Sequence, residues 1–296
     1  MLFTTASLVS LAMFGVCAHA AAPSGPSAGA STQGPWGCGG APGAGGPRAG
    51  KPGQRFTPPA KLTDAQKKAR LDELQKNAAT GDACWEHELG RAYASDQLGP
   101  PDYARAVEWL QKAADQGYAR GDGDLGLLYY NGTGVAQDYG KAMEYLRKSA
   151  DAGDMKAPRY VGMLYEDGNG TPVNVQQAAK YYEMAASRGD ITGQCLLGSF
   201  YERGVGVQRN FDTAEQWYLK SQQRGDLVAA PAMAALGNLY ETRTDGKRSE
   251  QTALGWYRKA AAAGLTEVDG DIQRLTTSHA SPPAGRNECL LHFVHP

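Results

Sequence analysis

A unit of 36 residues recurs through this chain, and a period of that length admits few folds. From Ala119 to Asp154 the unit reads Leu125-Gly126, Tyr129, Gly132-Thr133-Gly134-Val135, Asp138, Tyr145 and a closing Gly153. Closing glycines stand at Gly81, Gly117, Gly153, Gly189 and Gly225, each 36 residues after the last, and Gly264 ends a copy three residues longer. The Leu-Gly position reads Leu89-Gly90, Leu125-Gly126, Val161-Gly162, Leu197-Gly198 and Leu236-Gly237, and a tyrosine follows each pair at Tyr93, Tyr129, Tyr165, Tyr201 and Tyr240. Periods between about 20 and 50 residues mark arrays in which one small unit cannot bury its apolar face alone and stacks on its neighbours.

Each copy reads as two helices. Helix A of the first copy spans about Ala83 to Ser95, with Leu89, Ala92 and Tyr93 on one face. Helix B starts at Asp102, Asp138, Asn174, Asn210 and Ser249, all residue types whose side-chain oxygen accepts a bond from an orphan N–H at a helix start. It stops at the closing glycine, which tolerates the left-handed backbone needed there. Asp82, Asp154, Asp190 and Asp226 follow that glycine, placed to cap the next helix A. Within helix B, Ala106, Ala142, Ala178, Ala214 and Ala253 and, seven residues on, Ala113, Ser149, Ala185, Ser221 and Ala260 allow close helix approach. The aromatic column Trp109, Tyr145, Tyr181, Trp217 and Trp256 fills the space beside them.

Two copies depart from the pattern. Gly121 and Gly123 each cost about 1 kcal/mol against alanine in a helix, so helix A of the second copy is expected to start late. The fifth copy replaces the glycine turn with Thr242 to Arg248 and holds its extra residues around Leu227 to Ala234, with Pro231, where irregular stacking is expected.

Outside the array the chain changes character. Residues 1–20 read as a signal peptide, with an apolar run from Leu8 to Ala18 and a small-x-small site at Ala18-His19-Ala20. This reading implies a periplasmic or secreted protein cleaved near Ala20, with no stable membrane span. The alternatives are an uncleaved amino-terminal anchor and lipidation of Cys17, which Val16 and Phe14 fit poorly. Residues 21–60 hold eleven Gly and eight Pro, too little apolar area to offset ordering entropy, and read as a disordered tether. Residues 61–80 read as an amino-terminal capping helix started by Thr63 or Asp64, residues 81–265 as the five repeats, and residues 266–296 as a half-repeat cap and tail. Lys and Arg number 30 against 31 Asp and Glu, without a basic block, which argues against nucleic acid as a partner.

Leu-Gly-x-x-Tyr, Gly-x-Gly-Val, the capped second helix and Lys-Ala…aromatic…Lys-Ala-Ala (Lys141-Ala142, Tyr145, Lys148-Ser149-Ala150; Trp256, Lys259-Ala260-Ala261) together resemble the Sel-one-like repeat family over residues 61 to 277. This is a branch of the tetratricopeptide-type α-solenoids. The resemblance implies an all-α, right-handed superhelical solenoid of five helix pairs with capping helices, helix A lining the concave surface. It also implies a non-enzymatic, exported scaffold or adaptor that binds a protein or peptide, with no catalytic residues to carry over. A β-lactam-recognising or hydrolysing enzyme akin to cysteine-rich relatives is the alternative, although their paired cysteines are missing; a secreted effector that binds a host protein is the other.

The residues themselves offer little chemistry. Gly132-Thr133-Gly134 and Gly204-Val205-Gly206 lack the Lys-Ser/Thr of a phosphate-binding loop and the third glycine of a dinucleotide fingerprint, and both follow a helix. No cofactor or metal site is expected; Cys289, His292 and His295 hold ligand types at a spacing awkward for one ion. Cys84 and Cys195 sit three repeats apart, too far for a disulfide, while Cys38 with Cys84 and Cys195 with Cys289 stay open. His87 lies on helix A and could face the groove, but a lone histidine without a carboxylate or nucleophile partner is not a catalytic unit. Helix A columns that vary between copies are free for recognition, and they nominate Arg91, Tyr130, Arg159, Glu166, Glu202 and Asn238 as groove residues.

Overall fold

The computed structural model describes residues 62–277 and Cys289. Residues 1–20, expected from sequence to be a signal peptide, the Gly/Pro-rich segment, Cys17, Cys38, His292 and His295 lie outside these residues. The described chain is an all-α, right-handed superhelical solenoid. A capping helix α1 (Asp64–Ala78) precedes five pairs: α2 (Ala83–Ala94) with α3 (Tyr103–Asp115), α4 (Ala119–Asn131) with α5 (Tyr139–Asp151), α6 (Ala157–Asp167) with α7 (Val175–Ser187), α8 (Ile191–Arg203) with α9 (Phe211–Ser221), and α10 (Ala230–Thr242) with α11 (Glu250–Ala262). Helix α12 (Asp269–Thr277) closes the array. Contacts run mainly between sequence neighbours, and helix A meets the next helix A at α2/α4 and α8/α10, as single-file stacking requires.

Helix starts are set locally. Asp102, Asp138, Asn174, Asn210 and Ser249 all accept from the backbone N–H three residues on, so every expected helix B cap is made. The N–H groups of these same residues donate to the carbonyls of Tyr93, Tyr129, Tyr165, Tyr201 and Tyr240 at 2.8–3.0 Å. A carbonyl in the last turn of helix A, which has no intrahelical donor, is thereby satisfied by the residue that opens helix B. Asp82 caps α2, and Asp190 occupies the cap position of α8 with its carboxylate turned onto Arg159. Thr63 and Gln66 form a reciprocal capping box on α1.

Glycine serves two purposes in the repeat. At the closing position backbone conformation decides: Gly117 has φ +74° and nothing within 4 Å of an added Cβ. At the Leu-Gly position space decides: a Cβ on Gly198 would lie 2.6 Å from the Tyr218 ring, and one on Gly126 2.8 Å from Leu146. The small columns of helix B are all buried, as are all five apolar residues of the Leu-Gly pairs. Gly121 and Gly123 do not delay α4, which begins at Ala119. Their missing side chains make room for Ala113 and Ser149 of the flanking helices, so close packing outweighs the propensity cost.

The fifth repeat replaces its glycine turn with an ionic knot. The Arg243 side chain is wholly buried and donates to Asp212 at 2.8 Å, Glu215 at 3.0 Å and Asp245 at 2.6 Å. The Tyr240 hydroxyl shares Glu215, and Lys247 shares Asp212. Pro231 sits in the first turn of α10, where its missing N–H costs nothing.

Candidate functional site

The Leu-Gly glycine of helix A leaves a flat seat for one helix B side chain. Leu110 and Leu146 fill it in the first two repeats, and Tyr182, Tyr218 and Tyr257 in the last three. A tyrosine on that seat is buried up to its hydroxyl, which needs an acceptor. The acceptor is a glutamate one helical turn beyond the glycine: Tyr182 donates to Glu166 at 2.7 Å, Tyr218 to Glu202 at 2.6 Å and Tyr257 to Glu241 at 3.1 Å. Burial and the adjoining carboxylates hold Tyr182 and Tyr218 well above the usual phenol range, so both remain donors. Burial also pushes the Glu202 carboxyl up, against the downward pull of Tyr218.

Each glutamate then reaches into the next unit. Glu166 accepts from Arg203 at 3.3 Å, Glu202 from Asn238 at 3.2 Å, and Glu241 from Arg274 of the closing helix at 2.9 Å. Glu166, Glu202 and Asn238, nominated separately from sequence, are thus brought into one ladder that ties repeats three to five. The other nominated residues lie apart. Arg159 is buried and donates to both oxygens of Asp190 at 3.0 and 3.1 Å. Its guanidinium stands 4.5 Å from the centre of the Tyr160 ring. Tyr130 meets Tyr139 and Tyr160 edge to face, and burial drives its hydroxyl up to about 12. Arg91 is exposed, 3.6 Å from Asp124.

His87 does not face an open groove and is not alone. It is 1% exposed, with Nε2 2.9 Å from Asp124 of the next repeat, Nδ1 3.6 Å from Glu88 and its ring against Tyr118. Burial acts to lower its pKa, but the hydrogen bond to Asp124 and the nearby Glu88 carboxylate outweigh it and the net shift is upward.

A cavity of about 730 Å³ opens where α6, α8 and α10 begin. Its walls include Met155, Lys156, Arg159, Ile191, Thr192, Leu227, Val228 and Pro231. Leu227, Val228 and Pro231 come from the stretch holding the fifth repeat's extra residues, so the insertion builds one wall. Met155, Leu227 and Val228 are 41%, 46% and 55% exposed, a concentration of apolar surface at one rim. Cys195 and Cys289 line the same cavity and are joined by a disulfide with a Cα–Cα distance of 5.6 Å. Cys84 is itself disulfide-bonded; Cys38, considered for it from sequence, lies outside the described residues.

The Sel1 repeat pattern matches residues 86–118, 124–154, 159–190, 191–226 and 230–265, more than half of the chain. The chain belongs to the Sel1 repeat family. It is similar to a protective antigen of uropathogenic Escherichia coli displaying an SLR fold, with 33% identity and a TM-score of 0.60 over 67% of this chain and 43% of that one. It thus spans less than half the length of that protein. A Sel1 repeat protein from Oxalobacter formigenes gives 31% identity and a TM-score of 0.60, covering 67% of this chain and 80% of that one. No curated protein matches the chain.

Sel1 repeats are commonly protein-interaction scaffolds. Among the described residues no group of three His, Cys, Asp or Glu is placed to hold a metal ion, and no helix is long and apolar enough to cross a membrane. Sequence reasoning missed the cavity because its walls come from three Sel1 repeats and the loops before them. The one available signal was the insertion at Leu227 to Ala234.

Proposed function

We propose that this Sel1 repeat protein is an exported, non-enzymatic adaptor that grips a protein or peptide segment on its helix A face. The contact runs from Arg91 and Tyr130 in the first two repeats to Arg159, Glu166, Glu202 and Asn238 in the last three, and is deepest at the cavity beside Arg159. The observation that carries this reading is the cavity itself: about 730 Å³, within the range of ligand sites, with an apolar rim and a few polar groups. Apolar anchors filling such pockets dominate binding energy, while polar surroundings set register. Export is supported by the Leu8 to Ala18 run and the Ala18-His19-Ala20 site. Mature protein beginning at Ala21 fits it, and protein beginning at Met1 contradicts it.

Leu227→Asp/Val228→Asp tests the adaptor reading without disturbing folding, because both side chains are exposed. Capture of partners from the native host by the wild-type chain should fall at least tenfold in the double variant, with the melting temperature unchanged. Equal recovery contradicts the reading. Charge reversal at Glu166 or Glu202 is a poorer test, since it would also strand the Tyr182 or Tyr218 hydroxyl.

A further inference from the structure

Most polar side chains on the walls of the cavity already have partners. Arg159 holds Asp190, the one acid on those walls, through both carboxylate oxygens; Arg224 pairs with Asp226 at 2.6 Å, and the Ser221 hydroxyl donates to the Ile191 carbonyl at 2.7 Å. Two donors on the same walls differ: the Lys156 ammonium and the Thr192 hydroxyl form no hydrogen bond or ion pair with any described residue. The acid nearest to Lys156 in sequence, Asp154, accepts instead from the backbone N–H groups of Lys156 and Ala157, each at 2.7 Å. Lys156 is exposed and stands at the cap position of α6, where its side chain caps nothing. That is the positive end of a helix, which disfavours a cation and stabilises an anion. Helices α8 and α10 begin beside the same cavity, at Ile191 and Ala230, so their positive ends add to the charge of Lys156. Around these donors Met155, Leu227, Val228 and Pro231 make the walls apolar.

We infer that the cavity takes a partner segment in which an aspartate or glutamate adjoins an apolar anchor, and that Lys156 and Thr192 bind that side-chain carboxylate. An ionised carboxylate offers only acceptors, so it answers two side chains that have hydrogens to donate and nothing to receive them. The apolar anchor beside it covers the exposed side chains of Met155, Leu227 and Val228. The same wall rejects other segments. A lysine or arginine at that place would meet the charge of Lys156 head on, and a wholly apolar segment would cover the Thr192 hydroxyl without giving it a partner. The inference rests on the adaptor reading and adds the chemistry of the partner to it.

The probe is a library of random heptapeptides displayed on phage through their carboxyl ends, which leaves no free C-terminal carboxylate, selected on the oxidised full-length chain. Wild type is expected to enrich Asp or Glu next to Leu, Ile, Met or Phe, and Lys156→Glu to enrich Lys or Arg in place of the acid. Lys156→Glu suits the start of α6, and Thr192→Val keeps the shape of the side chain, so both variants should fold. In anisotropy titrations of the best wild-type peptide with both ends blocked, exchanging its acid for the matching amide should weaken binding about tenfold or more, as the loss of a charge-assisted hydrogen bond does. The same exchange should change binding to Lys156→Glu at most twofold, and Thr192→Val should weaken the acidic peptide more than the amide. Apolar peptides enriched without an acid, or an acid preference that survives in Lys156→Glu, overturn the inference and leave the adaptor reading standing. Failure to enrich any peptide that Leu227→Asp/Val228→Asp releases overturns both. Concentration-dependent dimerisation of the wild type that Val228→Asp removes would assign the rim to a second copy of this chain and overturn the inference.

Discussion

The Tyr218 hydroxyl donates to Glu202 at 2.6 Å, and the ring beneath it rests on the bare backbone of Gly198. Three positions from two helices thus form one unit, repeated at Gly162, Glu166 and Tyr182 and at Gly237, Glu241 and Tyr257. Tyr218→Phe leaves Glu202 part-buried with one donor fewer and should cost about 1–3 kcal/mol. Glu202→Gln keeps an acceptor and should cost less. A double-mutant cycle in denaturant titrations should give a coupling energy well above zero; strict additivity would show that the two groups do not interact.

Glycine substitutions should separate space from propensity. Gly198→Ala puts a Cβ 2.6 Å from the Tyr218 ring, and overpacking of this kind costs about 1–3 kcal/mol. Gly255, inside α11, has nothing within 4 Å of an added Cβ, so Gly255→Ala should stabilise the protein by up to about 1 kcal/mol. Thermal melts that move both variants in the same direction would contradict the close-approach account.

Packing between layers should outweigh capping. Leu197 is buried between helix pairs, and Leu197→Ala should cost about 2–5 kcal/mol. Asp138→Ala removes one cap bond, made to the Lys141 N–H, and should cost about 1 kcal/mol. Urea titrations giving the reverse order would refute the layered account.

Helix boundaries and stacking order were legible because their causes are local. A cap needs one side chain and one N–H, and Tyr201 to Asn210 spans the same nine positions as Tyr240 to Ser249, although only the former pair encloses Gly-x-Gly. The variable column ending in Glu166, Glu202 and Glu241 was harder to read. Its variation looks like freedom for recognition, yet it tracks a second column sixteen residues on, glutamate where that column has tyrosine and another residue where it has leucine. Such pairing emerges only once the helices are laid face to face. The cavity is further from view still, since Met155, Ile191 and Val228 share no motif and meet only when three repeats stack. Spacing excluded Cys84 with Cys195 but left Cys195 with Cys289 open, and the structure selects the latter.

His87 should make the first two repeats sensitive to pH. Burial acts to lower its folded-state pKa, yet the hydrogen bond to Asp124 and the neighbouring Glu88 carboxylate outweigh it and raise the value above the ordinary 6.5. The stability it contributes is therefore present in full below 6.5 and lost as pH rises through the higher folded-state value. The stability difference between wild type and His87→Asn should shrink across that window, read by tryptophan fluorescence from Trp85 and Trp109. A difference that grows with pH would reverse the assignment.

The central claim is that the helix A face grips another polypeptide at the cavity beside Cys195, while the helix B face does not. A photo-crosslinking amino acid placed at Val228, and in a second protein at the exposed Lys180 of α7, tests this in the native host. The account predicts a discrete crosslinked species from Val228 and none from Lys180. Crosslinking from Lys180 alone, or equally from both sites, would contradict it.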